Sequence, residues 1–269
     1  MDNKYDAYFK VNKETWNKKV SIHTKSEFYD IEGFKKGKTS LNSYELKELG
    51  NVNGKSLLHL QCHFGQDTLS LSRLGAKCTG IDLSSEGIKQ AKLLNDELGL
   101  DATFIESNLY DVPKYVDGKF DVVFTSYGVI GWLPDLKTWG KIIASKLNRG
   151  GIFYLIEFHP IVWMFDFIQT PPKLTYSYLK GEVIYEEYKG TYTNIDADII
   201  SKEYGWNHGL GEVVSALTDA GLHIEFLHEF EKSPYNSFPE MVNTDDGMYV
   251  LKENQKMFPL LYSIRATKI

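Results

Sequence analysis

The sequence predicts an α/β fold built on a mostly parallel sheet with helices on both faces, and three observations carry that expectation. From residue 55 to residue 158, short apolar runs alternate with stretches of helical spacing, the rhythm of strands joined by crossover helices. The unit 55–84 reads strand, tight loop, helix, strand, acid. The last two apolar runs, 223–230 and 258–267, have no convincing crossover helix between them, so they are expected to pair antiparallel.

Before the first strand, Tyr5, Tyr8, Phe9, Trp16 and Val20 stand among polar residues at spacings that suit an amphipathic helix, and 43–49 reads as a second, short one. This preface, 1–53, is expected to form a helical cap over the ligand end of the sheet, with packing against a flank as the alternative. Leu57, Leu58, His59 and Leu60 then make a strand, and Gln61-Cys62-His63-Phe64-Gly65 breaks it. Leu69, Leu71 and Leu74 give 66–74 helical spacing until Gly75 stops it. A second strand through Cys78 and Ile81 ends at Asp82, with Ser84 placed to cap the next helix, which runs to Leu98 and Gly99. Residues 103–106 and 120–125 read as the third and fourth strands, 135–147 as a helix, and 152–158 as the fifth strand.

Residues 160–208 leave that rhythm. Runs 182–188 and 191–195 flank Lys189-Gly190, which reads as a two-residue hairpin turn because glycine supplies a positive φ. The chain resumes a helix at 210–220 before its final strands. One domain is expected, divided into the cap (1–53), a nucleotide-binding core (54–159), an insertion (160–208) that acts as a lid or an interface, and a closing helix and strands (209–269).

Composition narrows the partners. Of 269 residues, 42% are apolar and 25% charged, so a packed globular domain is the default. The net charge of −6 leaves no surplus of cations to displace counterions from a nucleic-acid backbone, which favours a small-molecule partner. Aromatics at 14% suggest a ring-lined pocket as well as a core. The first residues lack an apolar signal core, no apolar run approaches membrane-spanning length, and the two cysteines, Cys62 and Cys78, form no disulfide framework. A cytoplasmic protein, monomer or homodimer, is expected.

The loop after the first strand would bring backbone N–H groups and a helix N-terminus to a ligand, and an acid one strand away would accept from ribose hydroxyls. Asp82 follows Gly65 by seventeen residues, near the spacing such folds use; a capping role is the open alternative. In these elements the chain resembles the class I S-adenosylmethionine-dependent methyltransferases over about residues 54–160, and more loosely beyond. The resemblance implies a Rossmann-like sheet of seven strands with an antiparallel last strand, and S-adenosylmethionine at the ends of the first strands. It implies cofactor contacts from the first motif (His59, Gln61, His63 and Gly65), from Asp82 and Leu83, from Asn108 and Leu109 beside the adenine, from Ser126 and Tyr127 beneath the methionine part, and from Trp132 in the loop that follows.

The departures are specific. Where the family has an acid followed by alternating glycines, this chain has His59, Gln61 and His63 and keeps only Gly65, which is expected to let the loop turn and approach the cofactor. The form His-Leu-Gln-Cys-His-Phe-Gly resembles a sub-branch of the same family. His59 and His63 invite a metal reading, but no carboxylate or cysteine completes a familiar ligand set, so no metal is expected. Methyl transfer to a small molecule is the function implied; a non-catalytic cofactor- or nucleotide-binding module and a nicotinamide-dependent oxidoreductase are the alternatives. Should the acceptor need deprotonation, His159 past the fifth strand and His208 at a helix start are the catalytic candidates, with His23 a weaker one; Tyr127 is a catalytic candidate through its ring face, which, like that of Trp132, would favour the cationic sulfur. Trp16, His23, Tyr29, His159 and His208 are expected to line an acceptor pocket beneath the cap and the insertion.

Overall fold

The structure is a computed structural model, and it describes residues 5–166, 172–236, 241–253 and 259–269. In chain order its elements are α1 (Asp6–His23), α2 (Ile31–Lys35), α3 (Ser43–Leu49), β1 (Ser56–Leu60), α4 (Gln66–Arg73), β2 (Lys77–Asp82), α5 (Ser85–Glu97), β3 (Thr103–Glu106), α6 (Val112–Tyr115), β4 (Phe120–Ser126), α7 (Leu136–Lys146) and β5 (Leu147–Phe158). There follow β6 (Phe165–Asp166), β7 (Lys173–Leu174), β8 (Ile184–Lys189), β9 (Ile200–Gly205), α8 (Leu210–Asp219), β10 (Leu222–Phe230), β11 (Met241–Asn243), β12 (Tyr249–Leu251) and β13 (Leu261–Lys268). Seven strands form the main sheet in the order β10-β13-β5-β4-β1-β2-β3. β1 to β5 are mutually parallel, and β13 runs antiparallel to both β5 and β10. This is the Rossmann-like architecture expected from the sequence.

Strand pleating explains the two layers. Leu57, Val122, Phe124, Tyr154 and Ile156 point to one face, where α3 and α4 cover them; Leu58, Leu60, Val123, Phe153 and Leu155 point to the other, beneath α7 and α8. Leu136, Trp139, Ile142 and Ile143 form the buried stripe of α7, and Asp135 caps it by accepting from the Thr138 N–H at 3.1 Å. Ser84 caps α5 in the same way through Gly87 N–H at 2.9 Å. α7 and α8 come close at Gly140, where an added Cβ would stand 2.2 Å from the Ala216 carbonyl oxygen of α8.

Several boundaries and one pairing differ from the sequence reading. β5 begins at Leu147, and its register with β4 shifts between Phe120 and Val122, so Gly150 and Gly151 sit within a bulge. The expected start of the last strand, Phe258, lies outside the described residues. The tight hairpin at Lys189-Gly190 is corrected: β8 pairs with β9, not with 191–195. Thr191 instead builds its own turn, its hydroxyl accepting from the N–H groups of Thr193 and Asn194 at 3.1 and 3.2 Å, a local competition that serine and threonine favour. Residues 190–199 thus become a loop that carries Tyr192.

The preface wraps to the carboxyl ends of the parallel strands. On α1, the Asn12 side chain exchanges two hydrogen bonds, both 2.8 Å, with the Tyr204 backbone, and Thr15 bonds the Lys202 carbonyl and N–H at 2.7 and 3.2 Å. The helix thereby satisfies the outer edge of β9 as a further strand would. Further along, the Asn17 carbonyl oxygen accepts from the Ser84 hydroxyl at 2.7 Å, just past β2. Lys19, 1% exposed, meets Glu203 of β9 and donates to the Tyr188 hydroxyl at 2.9 Å.

Gly140→Ala should lower unfolding free energy by about 1–3 kcal/mol, because the new methyl meets backbone and not a movable side chain. A urea titration against wild type checks this; an unchanged midpoint would mean that α7 and α8 are further apart than the structure places them.

Candidate functional site

The loop between β1 and α4 has an unusual backbone. Gln61, His63 and Gly65 have φ of 58°, 52° and 84°, all left-handed, a region that costs an ordinary residue about 1–2 kcal/mol. The curve that alternating glycines would draw is therefore kept, with two side chains added to it. Gly65 caps α4, and a Cβ there would lie 2.7 Å from the Phe104 ring and 3.0 Å from the Ala91 Cβ. Its necessity thus comes from packing of the loop against β3 and α5 as well as from its φ, a reason that the sequence reading had placed at the ligand.

Asp82 holds the loop in place. Its Oδ2 accepts from the His63 N–H and its Oδ1 from the Ser84 N–H, each at 2.8 Å, so Asp82 makes a turn bond at the entry to α5, whose cap is Ser84. A carboxylate oxygen has a second lone pair, so both oxygens keep capacity for a ligand. Burial pushes the Asp82 carboxyl up to about 6, against the pull of these N–H groups. Beside it, Asn108 accepts from the Tyr110 N–H at 3.0 Å through Oδ1, and Leu109 is buried.

His63 of the loop and His23 at the end of α1 have a defined proton order. Phe64 N–H donates to His63 Nδ1 at 2.8 Å, so that nitrogen carries no proton. His63 Nε2 therefore carries it and donates to His23 Nδ1 at 3.0 Å, which leaves the His23 proton on Nε2. Burial, aided by the Lys19 charge, lowers His23 to about 3, and burial takes His63 well below its ordinary range. Both rings are neutral at physiological pH. His59 lies lower, its Nδ1 bonded to the Thr68 hydroxyl at 2.8 Å and its ring edge on Phe124, with burial lowering it to about 3. Three buried polar atoms in this region, His23 Nε2, His59 Nε2 and Gln61 Oε1, have no protein partner.

A buried acid shapes the other side of the cleft. Glu157, on β5, accepts through Oε1 from Gly128 N–H and Phe158 N–H, and through Oε2 from Val129 N–H at 2.7 Å and Ile130 N–H at 3.0 Å. Those bonds fix the turn after β4, in which Tyr127 and Gly128 have φ of 35° and 72°. Trp132 is fixed in turn by its indole N–H on the Gly128 carbonyl at 2.7 Å, and Gln61 by its amide on the Val129 carbonyl at 3.0 Å. Burial raises the Glu157 carboxyl while its four N–H partners lower it, with a net rise. Ser126 donates to Asp67 at 3.0 Å, and the Tyr127 hydroxyl to Glu45 at 2.9 Å.

Rings from four segments meet over this frame. The Trp16 ring lies edge-on to His63 (5.2 Å), Trp132 (5.5 Å) and His23 (6.0 Å); Tyr29 stacks on His23 at 5.4 Å; and Tyr192 approaches His23 at 4.6 Å with its hydroxyl bonded to that of Tyr29. Trp16, His23 and Tyr29 are thus brought to the loop. His159 and His208 are not. His159 Nδ1 accepts from the Ile161 N–H at 3.2 Å and Nε2 faces Glu229 at 3.0 Å, while both nitrogens of His208 face oxygens, Leu133 O at 2.7 Å and Glu212 Oε2 at 2.9 Å.

Residues 58–155 match the family described as methyltransferase domain. This segment is similar to that family's domain. A ubiquinone biosynthesis O-methyltransferase of Vibrio campbellii is 30% identical over 145 residues, covering 48% of this chain and 61% of that protein. An uncharacterised methyltransferase of Synechocystis sp. is 30% identical over 131 residues, covering 48% and 59%. The chain therefore spans about 60% of the length of these curated relatives. The crystal structure of a putative S-adenosylmethionine-dependent methyltransferase from Listeria monocytogenes shares the fold, with a TM-score of 0.57 at 18% identity over 84% of this chain and 97% of that one. Among the described residues no helix is long and apolar enough to cross a membrane, and no group of three or more histidines, cysteines or acids is placed to hold a metal ion.

Glu157, Glu45, Asp67 and Lys19 were not legible as site residues. Glu157 did carry a signal, since a lone acid inside the apolar run 152–158 must find donors or pay heavily for burial. Replacing Glu157 with Gln puts an NH2 among four N–H donors and should cost at least about 2 kcal/mol in a denaturant titration. Nitrogen-15 spectra should show His63 and His23 as neutral Nε2–H tautomers down to about pH 4, given the lowering of His23 to about 3; a titration of either ring near its ordinary value would refute the proton order.

Proposed function

We propose that the chain is an S-adenosylmethionine-dependent methyltransferase acting on a small-molecule acceptor. The observation that carries this reading is the left-handed sequence Gln61, His63, Gly65 between β1 and α4, facing Asp82 at the end of β2. The unpartnered His23 Nε2, His59 Nε2 and Gln61 Oε1 fit a ligand that offers both donors and acceptors, as the amino-acid end of this cofactor does. Asp82 would hold the ribose hydroxyls, with Leu83, Asn108 and Leu109 around the adenine. Gln61, His63, Gly65, Ser126, Tyr127 and Trp132 would hold the methionine part, with His59 supporting the loop from within the sheet.

S-adenosylmethionine supplies an activated methyl on a positively charged sulfur, which keeps the bonding pair on transfer. The chain's own task is then to align the acceptor, exclude water and favour the cation with ring faces. Trp16, Trp132, Tyr29 and Tyr192 form a lining suited to a small aromatic acceptor. The name of the Vibrio relative, an O-methyltransferase, points the same way. A cytoplasmic location belongs to this reading, supported by two buried, unpaired cysteines.

Calorimetry with S-adenosylhomocysteine against NAD tests it. Binding of the first alone is expected, and binding of NAD alone would replace this reading with the oxidoreductase. Asp82→Ala should weaken S-adenosylhomocysteine by about 2 kcal/mol, roughly thirtyfold, with circular dichroism unchanged. Hydroxyl donors prefer the ionised carboxylate, and burial has raised Asp82 to about 6. Affinity should therefore be full above that pH and fall roughly tenfold per unit below it, a slope that Asp82→Asn should remove.

A further inference from the structure

Glu45 stands in the first turn of α3 and is fully buried. Its Oε1 closes the helix cap, accepting from the Asn42 N–H at 3.2 Å and the Asn42 amide at 3.3 Å. Its Oε2 is used differently. That oxygen accepts from the Tyr127 hydroxyl at 2.9 Å, across more than eighty residues of sequence.

Tyr127 is the first residue past β4, at the carboxyl edge where open parallel sheets bind ligands. It is held there at a φ of 35°, a conformation that bulky residues rarely adopt and that gathers at functional sites. Two rings pack on it, Tyr235 at 5.0 Å and Phe158 at 6.1 Å.

The charged and titratable groups around Glu45 come from every neighbouring element: Asp67 of α4, Tyr127 after β4, Tyr44 of α3, Tyr154 of β5, and Tyr235 beyond β10. Among the described residues no cation is paired with it. Burial, then the negative charge of Asp67, raises the Glu45 carboxyl to about 7. Burial and the adjacent Glu45 hold the Tyr127 phenol well above its ordinary range, so the phenol remains protonated and serves as a relay, not as a phenolate.

We propose that Tyr127 and Glu45 remove the proton of the methyl acceptor, Tyr127 touching the acceptor and Glu45 acting behind it as the positioning residue that stores the proton. The acceptor class is a phenol or amine bearing O–H or N–H. As the acceptor atom forms its bond to the incoming methyl, its bond to hydrogen breaks. That proton joins the Tyr127 oxygen while the hydroxyl's own proton crosses to Glu45 Oε2. The phenol is neutral before and after, the carboxylate becomes a carboxylic acid, and the proton later leaves to water. The proposal rests on the methyltransferase reading and adds the proton path to it.

The test uses the full chain with labelled S-adenosylmethionine and three probe acceptors: catechol, caffeate and phenethylamine. Wild-type kcat should rise with pH through a limb near 7, the value to which Glu45 is raised. Glu45→Gln keeps the oxygen that caps α3, so the fold should persist. It and Tyr127→Phe should each lower kcat about a hundredfold, within the range of general-base catalysis, and abolish the limb, and Glu45→Gln should leave S-adenosylhomocysteine affinity within twofold. Carbon-13 spectra of wild type with S-adenosylhomocysteine bound should show one glutamate titrating near 7, and Glu45→Gln should remove it. The proposal is overturned if Glu45→Gln retains kcat and the limb, if no glutamate titrates near that pH in the complex, or if an enzyme that binds S-adenosylhomocysteine methylates none of the probes. Failure to bind S-adenosylhomocysteine at all would instead remove the methyltransferase reading beneath it.

Discussion

The cleft depends on one buried carboxylate. Glu157 gathers four backbone N–H groups from its own strand and the turn after β4, and a turn with two successive left-handed residues has no other internal way to satisfy them. The charge is costly to bury alone, and the N–H groups are costly to bury unpaired; together they offset each other. From that arrangement follow the places of Tyr127, Trp132 and, through the Val129 carbonyl, Gln61 on the opposite loop. A side chain in the sheet thus positions residues on both loops above it.

The cover is built on a second economy, the pairing of a helix with a strand edge. Asn12 and Thr15 are three residues apart, one helical turn, and they meet Tyr204 and Lys202, two apart on β9. The rises of a helix turn and of two strand residues are close enough for both contacts to form at once. Lys19, one further turn along, completes the seam with Glu203 and Tyr188. Removing either charge of that seam would strand the other in a nearly dry place.

Much of the core could be read from the sequence because local pattern and tertiary environment agree there: the helices closed by Gly75 and Gly99, the cap at Ser84 and the antiparallel last strands all follow from short-range chemistry. The loop 61–65 was legible in outline, as a glycine motif with substitutions, but not in conformation, since nothing local forces Gln61 or His63 to a positive φ; Asp82 and the packing around Gly65 do. The hairpin at Gly190 failed for a related reason, because Thr191 offers the backbone a competing turn. In the sequence Glu45 and Lys19 are ordinary polar positions of the two helices expected in the preface. Only the fold, by bringing Tyr127 and Glu203 to them, makes them something else.

The seam between α1 and β9 also has a consequence for how the chain is made. Its partners lie about 190 residues apart in sequence, so α1 is synthesised first and meets its strand only when most of the polypeptide exists. Contacts of such separation form late and slowly, since the loop they close must first be ordered. Strands β1 to β5 and the loop 61–65, made of neighbouring units, can assemble while the helix waits. Until β9 has been made, the loop 61–65 lacks the cover that α1 gives it.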